Sequence, residues 1–267
     1  MFSFDIDCWQ DEKDVLIADL FELGSSGINE MDGFVRAFFD DEAVRPVLRA
    51  RFPEAREAAA DDRDWVEYSR RQWQPRAVGK RFFLVPDWLD TPAPEGRIRI
   101  AINAGQAFGT GAHESTRLCL ELLEDYLEPG HHVADVGTGS GILAEAAVRL
   151  GAADVVACDV DPVSVEVAAE ALLAAGIEIR MFTGSAGDLP ASSFDLVTAN
   201  ISPEVLAVIA LDLKKALKSG GRLILSGIEE PDLPVLTAAL AAGGLQIVET
   251  RAESNWRALV VTGSGSV

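Results

Sequence analysis

An acid followed by three glycines that alternate with small polar residues, Asp135-Val136-Gly137-Thr138-Gly139-Ser140-Gly141, is the stretch of this chain best suited to holding a ligand. Glycine lacks a Cβ, so the backbone there can turn sharply and approach a bound molecule closely. A second acid, Asp159, ends the run Asp154-Val155-Val156-Ala157-Cys158. It falls about 20 residues beyond the turn, where doubly wound folds place the carboxylate that accepts hydrogen bonds from ribose hydroxyls. The spacing is Gly-x-Gly-x-Gly, not the Gly-x-Gly-x-x-Gly that seats a pyrophosphate on a helix N-terminus. Upstream, Asn103 to Thr116 holds glycines at 105, 109 and 111 and leads into a helix through Leu127. Such a loop can fold over a ligand as a lid with Phe108 as its apolar contact, or it can be a fixed turn. Thr116 would sit in the first helical turn with its hydroxyl toward the ligand, or cap the helix.

These residues need a frame. His132–Val136 reads as a strand, Ile142–Leu150 as a helix and Asp154–Asp159 as a second strand. Ile177–Thr183 and Phe194–Ile201 read as strands three and four, with Asp188 in the loop between them. Pro203 starts the next helix, where its missing N–H costs little. Gly221–Ser226 follows as strand five, Pro231–Ala242 as a helix, and Leu245–Arg251 with Trp256–Val261 as a closing pair. That is a seven-stranded sheet with helices between the early strands. Ahead of it, Asp64–Trp73 has helical spacing anchored by Trp65 and Trp73, and Arg81–Pro86 and Arg97–Ile102 read as the two strands of a hairpin. The N-terminal part alternates in Phe2–Asp7. It continues with a helix carrying Leu16, Leu20 and Leu23 and stopped by Gly24, and with two strands around an Asp32-Gly33 turn. A second helix spans Glu42–Phe52, and Glu54–Asp62 reads as an Ala- and acid-rich connection. The order β-α-β-β-α predicts a small ferredoxin-like α+β domain with its last strand unassigned. The expected divisions are 1–63, a linker helix and hairpin over 64–104, and a ligand-binding domain over 105–267.

With 267 residues the chain can build a substantial core. Its apolar runs are all short of membrane-spanning length, and Met1–Asp5 lacks the basic start of a leader, so a cytoplasmic location is expected. Cys8, Cys119 and Cys158 share no ligand spacing and His131 and His132 are adjacent, so no metal site is expected. The formal net charge is −20, which disfavours a nucleic-acid partner and suits a basic protein substrate. The acidity concentrates early: residues 1–64 hold 7 Lys+Arg against 17 Asp+Glu, and residues 65–104 hold 7 against 4. The run Arg70, Arg71, Arg76, Lys80, Arg81 reads as a solvated face or a partner for that acidic part.

A strand ending in Asp-x-Gly-x-Gly-x-Gly is similar to motif I of the class I methyltransferases. The likeness extends to Phe108-Gly109-Thr110-Gly111-x-His113-x-x-Thr116, Gly141-Ile142-Leu143, Asp159-Val160-Asp161-Pro162 and Ala199-Asn200-Ile201. With Trp73-Gln74-Pro75 and Val85-Pro86-Asp87-Trp88, these resemble the PrmA family, lysine methyltransferases of the eleventh protein of the large ribosomal subunit. The resemblance is strong from about Asp64 to Ile228 and faint before it. It implies a Rossmann-like α/β fold with a seven-stranded mixed sheet and S-adenosylmethionine as cofactor. It assigns cofactor contact to Thr116, Gly137, Asp159 and Asn200, to which Asp135, Gly139 and Phe108 are added from the motif and the loop. An Asp at the position of Asp188 often meets adenine in this fold. Ala112, Glu114 and Ser115 stand where the family usually has Thr, Pro and Thr.

Amine and amide methyltransferases often carry Asn-Pro-Pro-Tyr at the end of strand four, where the Asn carbonyl aims a nitrogen at the methyl group. Asn200-Ile201-Ser202-Pro203 keeps the Asn and loses the aromatic, making Asn200 the candidate catalytic residue. The expected chemistry is an in-line displacement at a sulfonium methyl on a lysine or N-terminal amine, which demands alignment more than acid–base groups. Two other functions share the motifs: methylation of RNA or another small substrate on the same fold, and non-catalytic adenosyl binding.

Overall fold

Phe2–Asp7 form β1, and its place in the first sheet explains its burial. The computed structural model describes residues 2–8, 13–25, 27–31, 33–59, 74–102 and 113–263. The chain divides into two compact units, Met1–Gln72 and Trp73–Val267. In the first, β1 is followed by α1 (Lys13–Glu22), β2 (Gly27–Met31), β3 (Phe34–Phe39), α2 (Arg45–Arg51) and β4 (Arg56–Ala59). The sheet order is β2-β3-β1-β4 with all neighbours antiparallel, which is the ferredoxin-like arrangement. The alternation of β1 predicted one solvated face. Instead Phe2 through Ile6 are all buried, because β1 is an interior strand. Phe4, Ile6, Leu20, Val35 and Leu48 share one core, while Asp5 takes a two-pronged salt bridge from Arg36 at 2.5 and 2.7 Å. The Glu42–Phe52 segment opens as a 3-10 turn, Glu42–Val44, before α2, and Pro46 sits in the first turn of α2. The connection expected over Glu54–Asp62 contains β4, the missing last strand. Its Arg-Glu-Ala-Ala sequence has no β-branched residue, but an edge strand needs only the backbone ladder that β1 offers. Asp32 of the expected hairpin turn lies outside the described residues.

The second unit opens with β5 (Arg76–Val78), β6 (Phe82–Pro86) and β7 (Ile98–Ile102). β5 and β6 form an antiparallel pair, but β6 and β7 run parallel, so the second and third strands are not the predicted hairpin. The chain from 87 to 97 crosses back instead. Arg99 holds it through the carbonyls of Thr91 (3.1 Å) and Leu89 (2.9 Å). The predicted helix over 64–73 lies outside the described residues. The turn between β5 and β6 is tied to α3 (Glu114–Tyr126), where the Glu124 carboxylate accepts the N–H groups of Lys80 (2.7 Å) and Arg81 (2.8 Å).

The large sheet uses β8 (His132–Val136), β9 (Asp154–Asp159), β10 (Arg180–Thr183), β11 (Phe194–Asn200), β12 (Leu217–Glu229), β13 (Leu245–Glu253) and β14 (Trp256–Gly263). Between them lie α4 (Ile142–Leu150), α5 (Pro162–Ala174), α6 (Pro203–Ala216) and α7 (Leu233–Ala242). The order is β10-β9-β8-β11-β12-β14-β13, parallel throughout the first five and antiparallel at β14 and β13. The strand order reverses between β8 and β11. A ligand crevice in such sheets opens there, at the carboxyl ends of the strands. Two cores, one on each face, bury the apolar residues of the central strands.

Candidate functional site

The glycine turn hangs from the end of β9. Gly137 and Thr138 both donate their N–H groups to the Cys158 carbonyl, at 2.8 and 3.1 Å. Gly137, Gly139 and Gly141 all have positive φ, at 70, 53 and 80°. Gly137 also lies against Ile201: a Cβ built on it would stand 2.3 Å from the Ile201 Cγ2. Gly137→Ala is therefore expected to cost about 2 kcal/mol of stability, from backbone strain plus overpacking. Chemical denaturation measures this, and an unshifted midpoint would refute the close packing of Ile201 on the turn.

Asp159 caps the same turn from the other side. Its Oδ2 accepts the Gly139 N–H at 3.0 Å and its Oδ1 accepts the Asp161 N–H at 3.1 Å. Each carboxylate oxygen has a second lone pair, so capacity for two hydroxyl donors is left. Asp188 binds back to the Ser185 N–H at 2.9 Å. Burial pushes the Cys158 thiol up to about 12, and the charges of Asp135, Asp159 and Asp188 add to that rise. Asp159 and Asp188 thus put negative charge beside the ends of β9 and β10, which suits a cationic ligand better than an anionic one.

Asp135 is placed inside the fold, 1% exposed. It accepts hydrogen bonds from the Thr138 and Thr198 hydroxyls, each at 2.7 Å, and from the backbone of Ala144. Burial raises its pKa, against the pull of those three donors. It holds the turn from beneath. Thr198 is a residue that sequence reasoning misses. The signal for it was a hydroxyl in the apolar strand Phe194–Ala199, two residues before Asn200.

Asn200, at the end of β11, donates from Nδ2 to the Thr116 Oγ1 at 3.2 Å. Its Oδ1 acceptor and its second Nδ2 hydrogen are not used in that bond. Thr116 is buried in the first turn of α3, and His113 rather than Thr116 caps that helix. The His113 Nδ1 accepts the Ser115 N–H at 3.3 Å, and its ring meets Trp256 edge-on at 4.3 Å. Thr116, Asp135, Gly137, Gly139, Asp159 and Asn200 therefore converge on the carboxyl ends of β8, β9 and β11. Phe108 and the loop 104–111 lie outside the described residues. Among the described residues no group of three or more His, Cys, Asp or Glu is arranged for a metal.

The strand order, the glycine turn and the two strand-end residues Asp159 and Asn200 define an α/β class I methyltransferase fold. The chain belongs to the PrmA family, described as ribosomal protein L11 methyltransferase, whose sequence profile matches residues 11–263. A relative of that description from Pelotomaculum thermopropionicum is 42% identical, and the match covers 74% of this chain and 65% of that protein. The chain thus spans just under two thirds of that relative's length. Another, from Caldicellulosiruptor saccharolyticus, is 32% identical with 96% and 97% covered. The crystal structure of a ribosomal protein L11 methylase from Lactobacillus delbrueckii subsp. bulgaricus superposes with a TM-score of 0.67 at 32% identity. It covers 72% of this chain and 99% of its own.

Proposed function

We propose that this chain is an S-adenosylmethionine-dependent N-methyltransferase acting on lysine or N-terminal amines of ribosomal protein L11. The observation that carries this reading is the Asn200 amide anchored to Thr116 beside the glycine turn. Asp159 would hold the ribose hydroxyls, Gly137 and Gly139 would admit the methionine part, and the negative charge of Asp159 and Asp188 suits a cationic cofactor. The cofactor supplies an activated methyl group whose leaving sulfide needs no proton. What remains for the protein is alignment: with Nδ2 committed to Thr116, the Asn200 Oδ1 accepts a hydrogen from the substrate amine and points its lone pair inward. The amine must arrive unprotonated, which burial favours and the acidic edge opposes.

The first unit would recruit the basic protein substrate, its acidity matching the excess of Asp and Glu in residues 1–64. A truncated protein, residues 73–267, should still bind S-adenosylmethionine, while kcat/KM on L11 drops roughly tenfold or more, one decade of lost recruitment. Equal kcat/KM for the two forms would remove the recruitment role. The function itself is tested by tritium transfer from labelled cofactor to L11, to ribosomal RNA and to neither. Label on L11 supports the proposal. Label on RNA points to nucleic-acid methylation, and cofactor binding with no transfer points to a non-catalytic adenosyl-binding protein.

A further inference from the structure

A single neutral hydrogen bond, Asn200 Nδ2 to Thr116 Oγ1, competes with water and is too weak to fix an amide by itself. The turn that carries Asn200 rests on something else. β11 pairs in parallel with β12, with Asn200 opposite Ser226. β12 in turn slips register against β14 between Leu225 and Ile228, so Ser226 and Gly227 form a bulge at the ligand edge. The Ser226 carbonyl accepts the Ile201 N–H at 3.2 Å. Its wholly buried hydroxyl lies 3.2 Å from the carbonyl oxygens of both Ser115 and Arg257, able to donate to one at a time. Ser115 immediately precedes Thr116.

Gly227 supplies the other half. Its φ is +82°, and a Cβ built on it would stand 2.6 Å from the Ile201 O, 3.0 Å from its C and 3.1 Å from its N. These are backbone atoms of Ile201, the residue after Asn200, and they cannot swing aside as a side-chain tip can. One two-residue bulge therefore touches the chain neighbour of each partner of the Thr116–Asn200 pair: Ser115, before Thr116 in α3, and Ile201, after Asn200.

We propose that the Ser226–Gly227 bulge is a positioning element that sets the mutual geometry of Thr116 and Asn200, and so the aim of the amine nucleophile. The inference rests on the methyl-transfer reading above. Gly227 works by being flat enough for the Ile201 peptide to lie on it. Ser226 works by linking that peptide to the first turn of α3. Neither residue lies in the glycine motif, and neither would touch the reacting atoms.

Gly227→Ala must push the Ile201 peptide away by roughly half an ångström, and since a 1 Å misplacement can cost about a hundredfold, kcat should fall about tenfold. The control is Gly220→Ala. Gly220 has nearly the same φ, +79°, but a Cβ there meets nothing within 4 Å. It shares the backbone strain and lacks the collision, so it should keep the parent kcat. In Gly227→Ala the S-adenosylmethionine Kd should change less than kcat, because the Asp159 side of the turn is untouched and only the Ile201 side, which lies against Gly137, is displaced. Ser226→Ala adds no atoms and removes only the hydroxyl, so it becomes the deciding variant if Gly227→Ala does not fold; kcat should again fall, by about threefold or more. A spectroscopic arm needs no substrate. The Asn200 side-chain amide signal, assigned by its loss in Asn200→Asp, should move toward the free-amide position in Gly227→Ala and Ser226→Ala, and stay put in Gly220→Ala. Full kcat with an unmoved amide signal in the folded variants, or equal losses in Gly220→Ala, would overturn the proposal. An inactive parent protein would count against the methyl-transfer reading alone, and the amide signal would still decide the positioning role.

Discussion

If the proposed methyl transfer to L11 holds, Asn200→Ala is expected to lower its kcat by roughly 100-fold, the loss that goes with a nucleophile no longer held in line. The cofactor Kd should rise only a few-fold, because Asp159 and the glycine turn stay in place. Replacement by Asp is informative too. A carboxylate cannot donate to Thr116 as the Nδ2 does, although the Thr116 hydroxyl can reverse and donate to it. The pair therefore survives in altered form, but a negative charge now faces the incoming amine. That charge favours the protonated, non-nucleophilic ammonium. The activity of Asn200→Asp should then rise with pH more steeply than that of Asn200→Ala, in which no added charge faces the amine. Single-turnover transfer from labelled cofactor separates the two, and an alanine variant with parental single-turnover rate would remove Asn200 from the mechanism.

The cofactor half of the fold was legible because its signals are local. The glycine turn, the helix after it and the acid ending the next strand lie within one short segment, and the structure brings Gly137, Gly139 and Asp159 together as that segment requires. The ferredoxin-like order was legible up to its last strand. β4 was not, because Arg-Glu-Ala-Ala shows no strand preference and forms by adding to an edge of β1. The parallel run of β6 and β7 escaped for a related reason: two strands flanking a Pro/Gly loop suggest a hairpin, and the crossover depends on Arg99 gripping Thr91 and Leu89. Asp135 reads as a ligand residue by its place in the motif, yet it binds Thr138 and Thr198 from below. Thr198, Ser226 and Gly227 are invisible as a set in the sequence. Their relation to Asn200 exists only once β8, β11 and β12 lie side by side.

Asp159→Ala is expected to weaken S-adenosylmethionine binding by roughly 1.5–3 kcal/mol, about 10- to 150-fold in Kd, the range for hydrogen bonds to a charged group. Two losses contribute. One is the acceptor for the ribose hydroxyls; the other is the Gly139 N–H, which loses its partner and frees the turn. The isosteric Asp159→Asn should do little better. Both oxygens of Asp159 already accept a backbone N–H, one from Gly139 and one from Asp161, so an amide must present its NH₂ to one of these donors. Calorimetry with S-adenosylmethionine measures the affinity, and NAD should give no comparable heat, because the Gly-x-Gly-x-Gly spacing is not the one that seats a pyrophosphate on a helix N-terminus. Thermal melting apportions the effect. Without ligand, a lowered Tm in Asp159→Ala reports the loosened turn; a smaller rise in Tm on adding S-adenosylmethionine reports the lost ribose contact. Parental affinity in a folded Asp159→Ala protein would mean that the strand-end acid braces the turn and does nothing more.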